Sequence, residues 1–236
     1  MADVILERRC VGCTMAPTIL CHDCWTELLS LGPQVSAVPL NPAAATAATI
    51  VASAGPYRDL MRRLVLAHKD QAVRALTRPL GVTLARAIAA LTEDETTSTT
   101  PLVIVPIPPH DSSLRRRGED TVATVARASI AALRTIGIRA EFTPALRRRP
   151  GSVQQIGASA EQRRTRQVES MTIRSTRWPA QPATLVVVDD VLTTGATCGE
   201  AIRVLGTRRP DLLPFRVAVL AHAQVDTDAG TLGQQH

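Results

Sequence analysis

From residue 184 the chain runs Thr-Leu-Val-Val-Val-Asp-Asp-Val-Leu and then opens into the small-residue loop Thr193-Thr194-Gly195-Ala196-Thr197. Residues 185–188 offer no polar face, which predicts a strand buried on both sides, as in a parallel sheet covered by helices. Asp189 and Asp190 then stand at the carboxyl end of that strand. Residues 102–109, Leu-Val-Ile-Val-Pro-Ile-Pro-Pro, repeat the buried-strand pattern, and residues 215–221 supply a late strand. Residues 57–69 place Leu60, Met61, Leu64 and Val65 on one face of a helix. Residues 72–91 read as helical with an interruption near Pro79, and 25–31 and 118–136 as further helices. Thr197 to Glu200 matches a capping box, so a helix is expected to start there, ahead of Ala201, Ile202, Val204 and Leu205. Strands alternating with helices predict the α/β class, with a mainly parallel sheet flanked by helices.

Composition narrows how that core is built. The chain has 236 residues, 45% hydrophobic and 20% charged, enough for one α/β domain and a small appendage. Its aromatic residues are Trp25, Trp178, Tyr57, Phe142 and Phe215, so Val, Leu, Ile and Ala must fill the interior. The net charge of +6 comes from 27 basic residues, of which Lys69 alone is not Arg, and Arg is the better bidentate partner for phosphate. Residues 1–9 are too short and too charged for a signal peptide. Residues 43–54, Ala/Thr-rich and flanked by Pro42 and Pro56, fall short of a spanning helix. A cytoplasmic protein without membrane insertion is expected. The expected divisions are a cysteine module over 1–32, a linker over 33–50, the main domain over 51–223 and a disordered polar tail over 224–236. No internal repeat is visible.

The cysteines suggest a second kind of chemistry. Cys10, Cys13, Cys21 and Cys24 form two CxxC knuckles seven residues apart. A redox pair or two disulfides would also use such cysteines, but the doubled knuckle supplies a complete tetrahedral set for structural Zn2+. Arg8 and Arg9 would offset the charge of four thiolates, and Gly12 permits the tight first turn. Metal coordination would then be folding energy for a segment with almost no core of its own.

At the Asp189–Asp190 strand end, the backbone amides of residues 193–197, with Gly195 allowing close approach, can cradle a phosphate at the positive end of a helix. Adjacent carboxylates would repel that phosphate and suit sugar hydroxyls instead. The ligand implied is a ribose 5-phosphate. A Walker B strand, a receiver-type acidic pair or a simple capped turn also contain such carboxylates, but the chain has no Walker-type phosphate loop.

The same segment resembles the phosphoribosyl pyrophosphate (PRPP) loop of type I phosphoribosyltransferases. With the N-terminal cysteine knuckles, it gives the chain the layout of the ComF family, associated with competence and DNA utilisation. The resemblance extends over nearly the whole chain. It implies a type I phosphoribosyltransferase-like fold. It implies PRPP contacts from Asp189, Asp190, Val191, Thr193, Thr194, Gly195, Ala196 and Thr197, with Pro106 and Ile107 lining the pyrophosphate side. Lys69 stands where the family has a Lys, and Arg115 to Gly118 match its Arg-x-Arg-Gly. Gln155, Ser159 and Arg163 align with a loop that closes over the reacting centre. The implied catalytic set is Asp189, Asp190, Lys69, Arg115, Arg117 and Arg163, with Mg2+ carried by the substrate. Departures occur at Glu119, Asp120 and Thr121, and at Gln162 and Arg166.

Simpler explanations stand beside these. Lys69 can also be read as a solvated helix end, the prolines as strand terminators, and residues 146–168 as an arginine-rich surface loop. Cys198 reads mainly as a packed thiol, with a reactive one as the alternative. Two functions follow: transfer of a phosphoribosyl group to an unidentified nitrogenous acceptor with release of pyrophosphate, or non-catalytic PRPP or nucleotide binding in DNA uptake. Single-stranded DNA, competence-machinery proteins and a second copy of the chain are the candidate partners, although five scattered aromatic residues offer no base-stacking platform.

Overall fold

The computed structural model describes residues 8–40, 48–92, 100–149, 170–174, 178, 183–212 and 214–223. In chain order the elements are α1 (His22–Ser30), β1 (Gln34–Val38), β2 (Thr49–Ser53), α2 (Asp59–Asp70), α3 (Thr77–Ala90), β3 (Leu102–Pro106), α4 (Asp111–Arg117), α5 (Thr121–Thr135), β4 (Ala140–Phe142), β5 (Leu146–Arg148), β6 (Met171–Ile173), β7 (Thr184–Leu192), α6 (Ala196–Arg208) and β8 (Arg216–His222). The six-stranded sheet has the order β1-β2-β8-β7-β3-β4, parallel except for the antiparallel β1–β2 pair. Strands β5 and β6 form a separate antiparallel pair. No helix among the described residues is long and apolar enough to cross a membrane.

The continuous apolar runs are explained by two cores, one on each face of the sheet. Leu102, Ile104, Val186 and Val188 face α2, α3 and α5, whereas Val103, Val105, Leu185 and Val187 face α6 and the β5–β6 pair. Residues 185–188 are fully buried, and each such side chain contributes about 1.5–3 kcal/mol relative to exposure. The chain leaves β3 through α5 to β4 on one side, and leaves β7 through α6 to β8 on the other. A right-handed crossover in opposite directions places α5 and α6 on opposite faces. The carboxyl ends of β3 and β7 therefore flank a topological switch point, where ligand crevices form in such sheets.

Two local differences from the sequence pattern have simple causes. Residues 34–38, expected within a linker, form edge strand β1, whose exposed side chains leave little hydrophobic signature. Pro79 does not interrupt α3 but lies in its first turn, where its missing N–H costs nothing. The stretches 93–99, 150–169 and 224–236, with Gln155, Ser159, Gln162, Arg163 and Arg166, lie outside the described residues.

Candidate functional site

Val188 is the last residue of β7 paired with β3, opposite Pro106, while β7 continues beside β8 through Asp189 and Val191. The acidic pair thus emerges where one neighbouring strand has ended. Side chains alternate along a strand, so Asp190 follows Val186 and Val188 toward α2 and α5, and Asp189 follows Leu185 and Val187 toward α6. Asp190 pairs with a cation directly, and Asp189 feels one at longer range. Lys69, near the end of α2, places Nζ 2.5 Å from Asp190 Oδ2. Arg148, on β5, interacts electrostatically with Asp189, and its Nε donates to the Pro108 carbonyl at 3.1 Å and its Nη1 to Ser170 Oγ at 3.3 Å.

Burial and charge set the protonation of this cluster. Burial first, and then the neighbouring Asp190 charge, push Asp189 up to about 7, against the opposing pull of Lys69, the Asp190 amide and Arg148. That amide donates to Asp189 Oδ1 at 2.8 Å. Burial would lower Lys69, but the charge and hydrogen bond of Asp190 outweigh it and hold the ammonium above its ordinary value. Asp120 is raised by burial, with Asp190 adding to it, and caps α5 by accepting from the Ala123 amide at 2.9 Å. His68 is kept below its usual value by burial and by Arg74, and its Nε2 is 3.0 Å from Thr77 Oγ1. A cleft lined by Val65, Lys69, Thr121, Val125, Asp189 and Asp190 runs beneath the pair.

Downstream, the helix begins earlier than the capping box suggested. Gly195, left-handed at φ 72°, is the N-cap of α6 and has no side chain to cap the helix. Glu200, expected to close the box, instead holds Arg203 at 2.7 and 3.0 Å and accepts from the Met171 amide at 3.3 Å. The start of α6, where the Ala196 amide meets Thr194 Oγ1 at 3.5 Å, is of the kind that ordinarily holds an anion. Thr193 is exposed, and Thr194 and Thr197 are half-buried beside it. Gly195 is favoured by its positive φ, and a Cβ there would also stand 2.6 Å from Leu40 Cδ2, a side-chain end that would have to shift. Gly195→Ala is expected to lower the unfolding free energy by about 1–2 kcal/mol, measured in denaturant melts.

The structure brings Asp189, Asp190, Val191, residues 193–197, Pro106, Ile107, Lys69 and Arg117 to one end of the sheet. The Ile107 amide is committed to the Val188 carbonyl at 2.9 Å. Arg117 donates to Asp70 Oδ1 at 3.0 Å, with its side chain 12% exposed, and lies close enough to Lys69 to oppose its charge. Arg115 is exposed on α4. The cis peptide bond among the described residues is Ala16–Pro17. Cys198 is buried, and burial with the two aspartates raises its thiol well above the usual value, so it stays protonated and packed. Arg148 escaped the sequence-derived site set. The signal was period-two alternation in Leu146-Arg147-Arg148, whose first and third members turn inward while Arg147 is exposed.

At the N-terminus, the ligand atoms of Cys10, Cys13, Cys21 and Cys24 lie within 4.8 Å of one another, compatible with a structural zinc. The Cys21 amide donates to Cys10 Sγ at 3.3 Å and the Cys24 amide to Cys21 Sγ at 3.5 Å. Burial works to raise the Cys10 thiol, but hydrogen bonds from the Cys21, Cys13 and Gly12 backbone outweigh it and bring it to about 6. Burial and the neighbouring thiols push Cys24 up. Crowded thiols that compete for protons are a donor set suited to a divalent metal.

No protein-family model matches the chain, and no curated protein matches it significantly.

Proposed function

We propose that the chain binds PRPP with Mg2+ at the end of β7 and acts as a type I phosphoribosyltransferase-like protein of the ComF kind, transferring the phosphoribosyl group to a nitrogenous acceptor. The observation that carries this is the continuity of Asp189, Asp190, the left-handed Gly195 and the start of α6 at a topological switch point. Carboxylates on both sides of a strand end suit the vicinal hydroxyls of a furanose, and the helix start suits its 5-phosphate. The motif resemblance and the four-cysteine layout support the same reading.

Departure of pyrophosphate from C1 leaves positive charge on the sugar and negative charge on the leaving group. Lys69 at the end of α2 and Arg117 on the nearby α4, paired here with Asp190 and Asp70, would stabilise that negative charge, which is the main contribution a protein makes to such a step. Mg2+, held chiefly by the substrate's oxygens with Asp189 and Asp190 supporting it, would neutralise the pyrophosphate. The finer assignment of the cysteine cluster is a zinc site that stabilises the fold.

Calorimetry with PRPP and Mg2+, followed by a pyrophosphate-release assay over a panel of purines, pyrimidines and simple amines, tests the proposal. Binding with release for at least one acceptor is expected. Binding without release for any acceptor would favour an accessory, non-catalytic role in DNA utilisation. No binding would remove the proposal.

A further inference from the structure

We infer that Lys69 is a specificity-determining residue that masks Asp190 against sugar phosphates lacking a pyrophosphate. The inference rests on the ribose-phosphate site proposed above. Lys69 Nζ and Asp190 Oδ2 lie 2.5 Å apart, with side chains only 30% and 15% exposed. In this arrangement the ammonium occupies the carboxylate that a sugar hydroxyl needs.

A neutral hydroxyl is a poor exchange for an ammonium in such a setting. Displacing Lys69 leaves a half-buried cation without its partner, which is the costly way to break a desolvated ion pair. Ribose 5-phosphate brings hydroxyls for Asp190 but nothing for Lys69, because its phosphate is held at the start of α6. A sugar that also carries pyrophosphate on C1 supplies both halves: hydroxyls to the carboxylate and an anion to the ammonium. Arg117 sharpens the choice. It is nearly buried, tied to Asp70 and opposes the charge of Lys69, so the end of α2 holds two cations with a shared need for negative charge. The ion pair is therefore exchanged without net loss only for a pyrophosphorylated sugar, and it re-forms once pyrophosphate departs.

Lys69→Met separates the two halves. Dissociation constants for PRPP and for ribose 5-phosphate, each with Mg2+, are measured by calorimetry in the unaltered protein and the variant. Unmasking raises the fraction of competent Asp190, so ribose 5-phosphate is expected to bind about threefold or more tighter in the variant. PRPP, deprived of its cation, is expected to bind about tenfold or more weaker. Parallel weakening of both ligands would overturn the inference while leaving the PRPP site intact. Failure of PRPP to bind the unaltered protein would instead remove the ribose-phosphate site itself.

A second readout needs no substitution. Lys69 is the single lysine of the chain, so protein labelled with [15N]lysine shows one side-chain ammonium resonance. PRPP is expected to shift it and saturating ribose 5-phosphate to leave it near its ligand-free position. Equal shifts with both ligands would overturn the masking.

Discussion

Asp189→Asn is expected to weaken PRPP binding and at the same time to stabilise the fold. The carboxyl group is raised to about 7 in the folded protein, first by burial and then by Asp190. A carboxyl raised on folding favours its protonated form. Its contribution to stability is therefore fully present below the unfolded value near 4 and is lost as pH rises through about 7. Asparagine removes the ionisation while keeping an oxygen that can accept from the Asp190 amide. The gain in unfolding free energy is expected to be about 2–3 kcal/mol larger at pH 8 than at pH 5, read from urea melts at both values. At pH 8, where the unaltered carboxylate is charged, PRPP affinity should fall by about 100-fold in the variant, the cost of a hydrogen bond to a charged group. A purely structural carboxylate would show the opposite pattern, with the variant less stable at pH 8 and ligand affinity unmoved.

The cysteine cluster carries the second large effect. Cys10, Cys21 and Cys24 belong to the same core as Leu28 of α1 and Leu60 and Met61 of α2. A Cβ on Gly12 would come within 2.8 Å of Leu60 Cδ1, so the knuckle lies directly on α2. Farther along, Arg86 on α3 donates to the Leu29 carbonyl at 2.5 Å. Stripping the proposed zinc ion with a strong chelator, or Cys24→Ser, is expected to open this module and uncover the apolar side of α2. A loss of about 3–5 kcal/mol is expected, a fraction of what a structural zinc site can supply. That corresponds to a fall of about 10 °C in Tm in a chain of this size. Metal content by mass spectrometry should drop from one zinc per chain in parallel. Unchanged Tm after complete metal removal would show that the cluster does not hold the fold. The same α2 carries Lys69 in its last turn, so PRPP affinity should weaken with the proposed metal lost.

The strand and loop at the centre of the site were legible because an uninterrupted apolar run has few ways to be buried. Residues 185–188 announced a doubly covered strand, and the acidic pair followed from its end. The start of α6 was misread by its sequence. A left-handed Gly195 begins the helix at Ala196, and Glu200 is drawn to Arg203 and to the Met171 amide, a contact 29 positions away that no local pattern contains. β1 was missed because an edge strand with exposed side chains needs no hydrophobic alternation. The cysteine module was expected to have almost no core of its own, which its sequence supports. What the sequence did not contain is that the knuckle borrows its core from α2 and α3. Lys69 was visible as the lone lysine at a helix end, but its engagement with Asp190 depends on the packing of α2 against the sheet. Arg148 was hidden inside an arginine run, where only alternation separated the inward side chain from its neighbours.

Crystals of the protein grown with PRPP and Mg2+ test the central claim most directly. The furanose should lie between Asp189 and Asp190, with its 5-phosphate against the backbone of residues 193–197 and its pyrophosphate toward Lys69 and Arg117. A ligand bound elsewhere, or an Asp190 that keeps its Lys69 pairing while the loop holds nothing, would contradict the account.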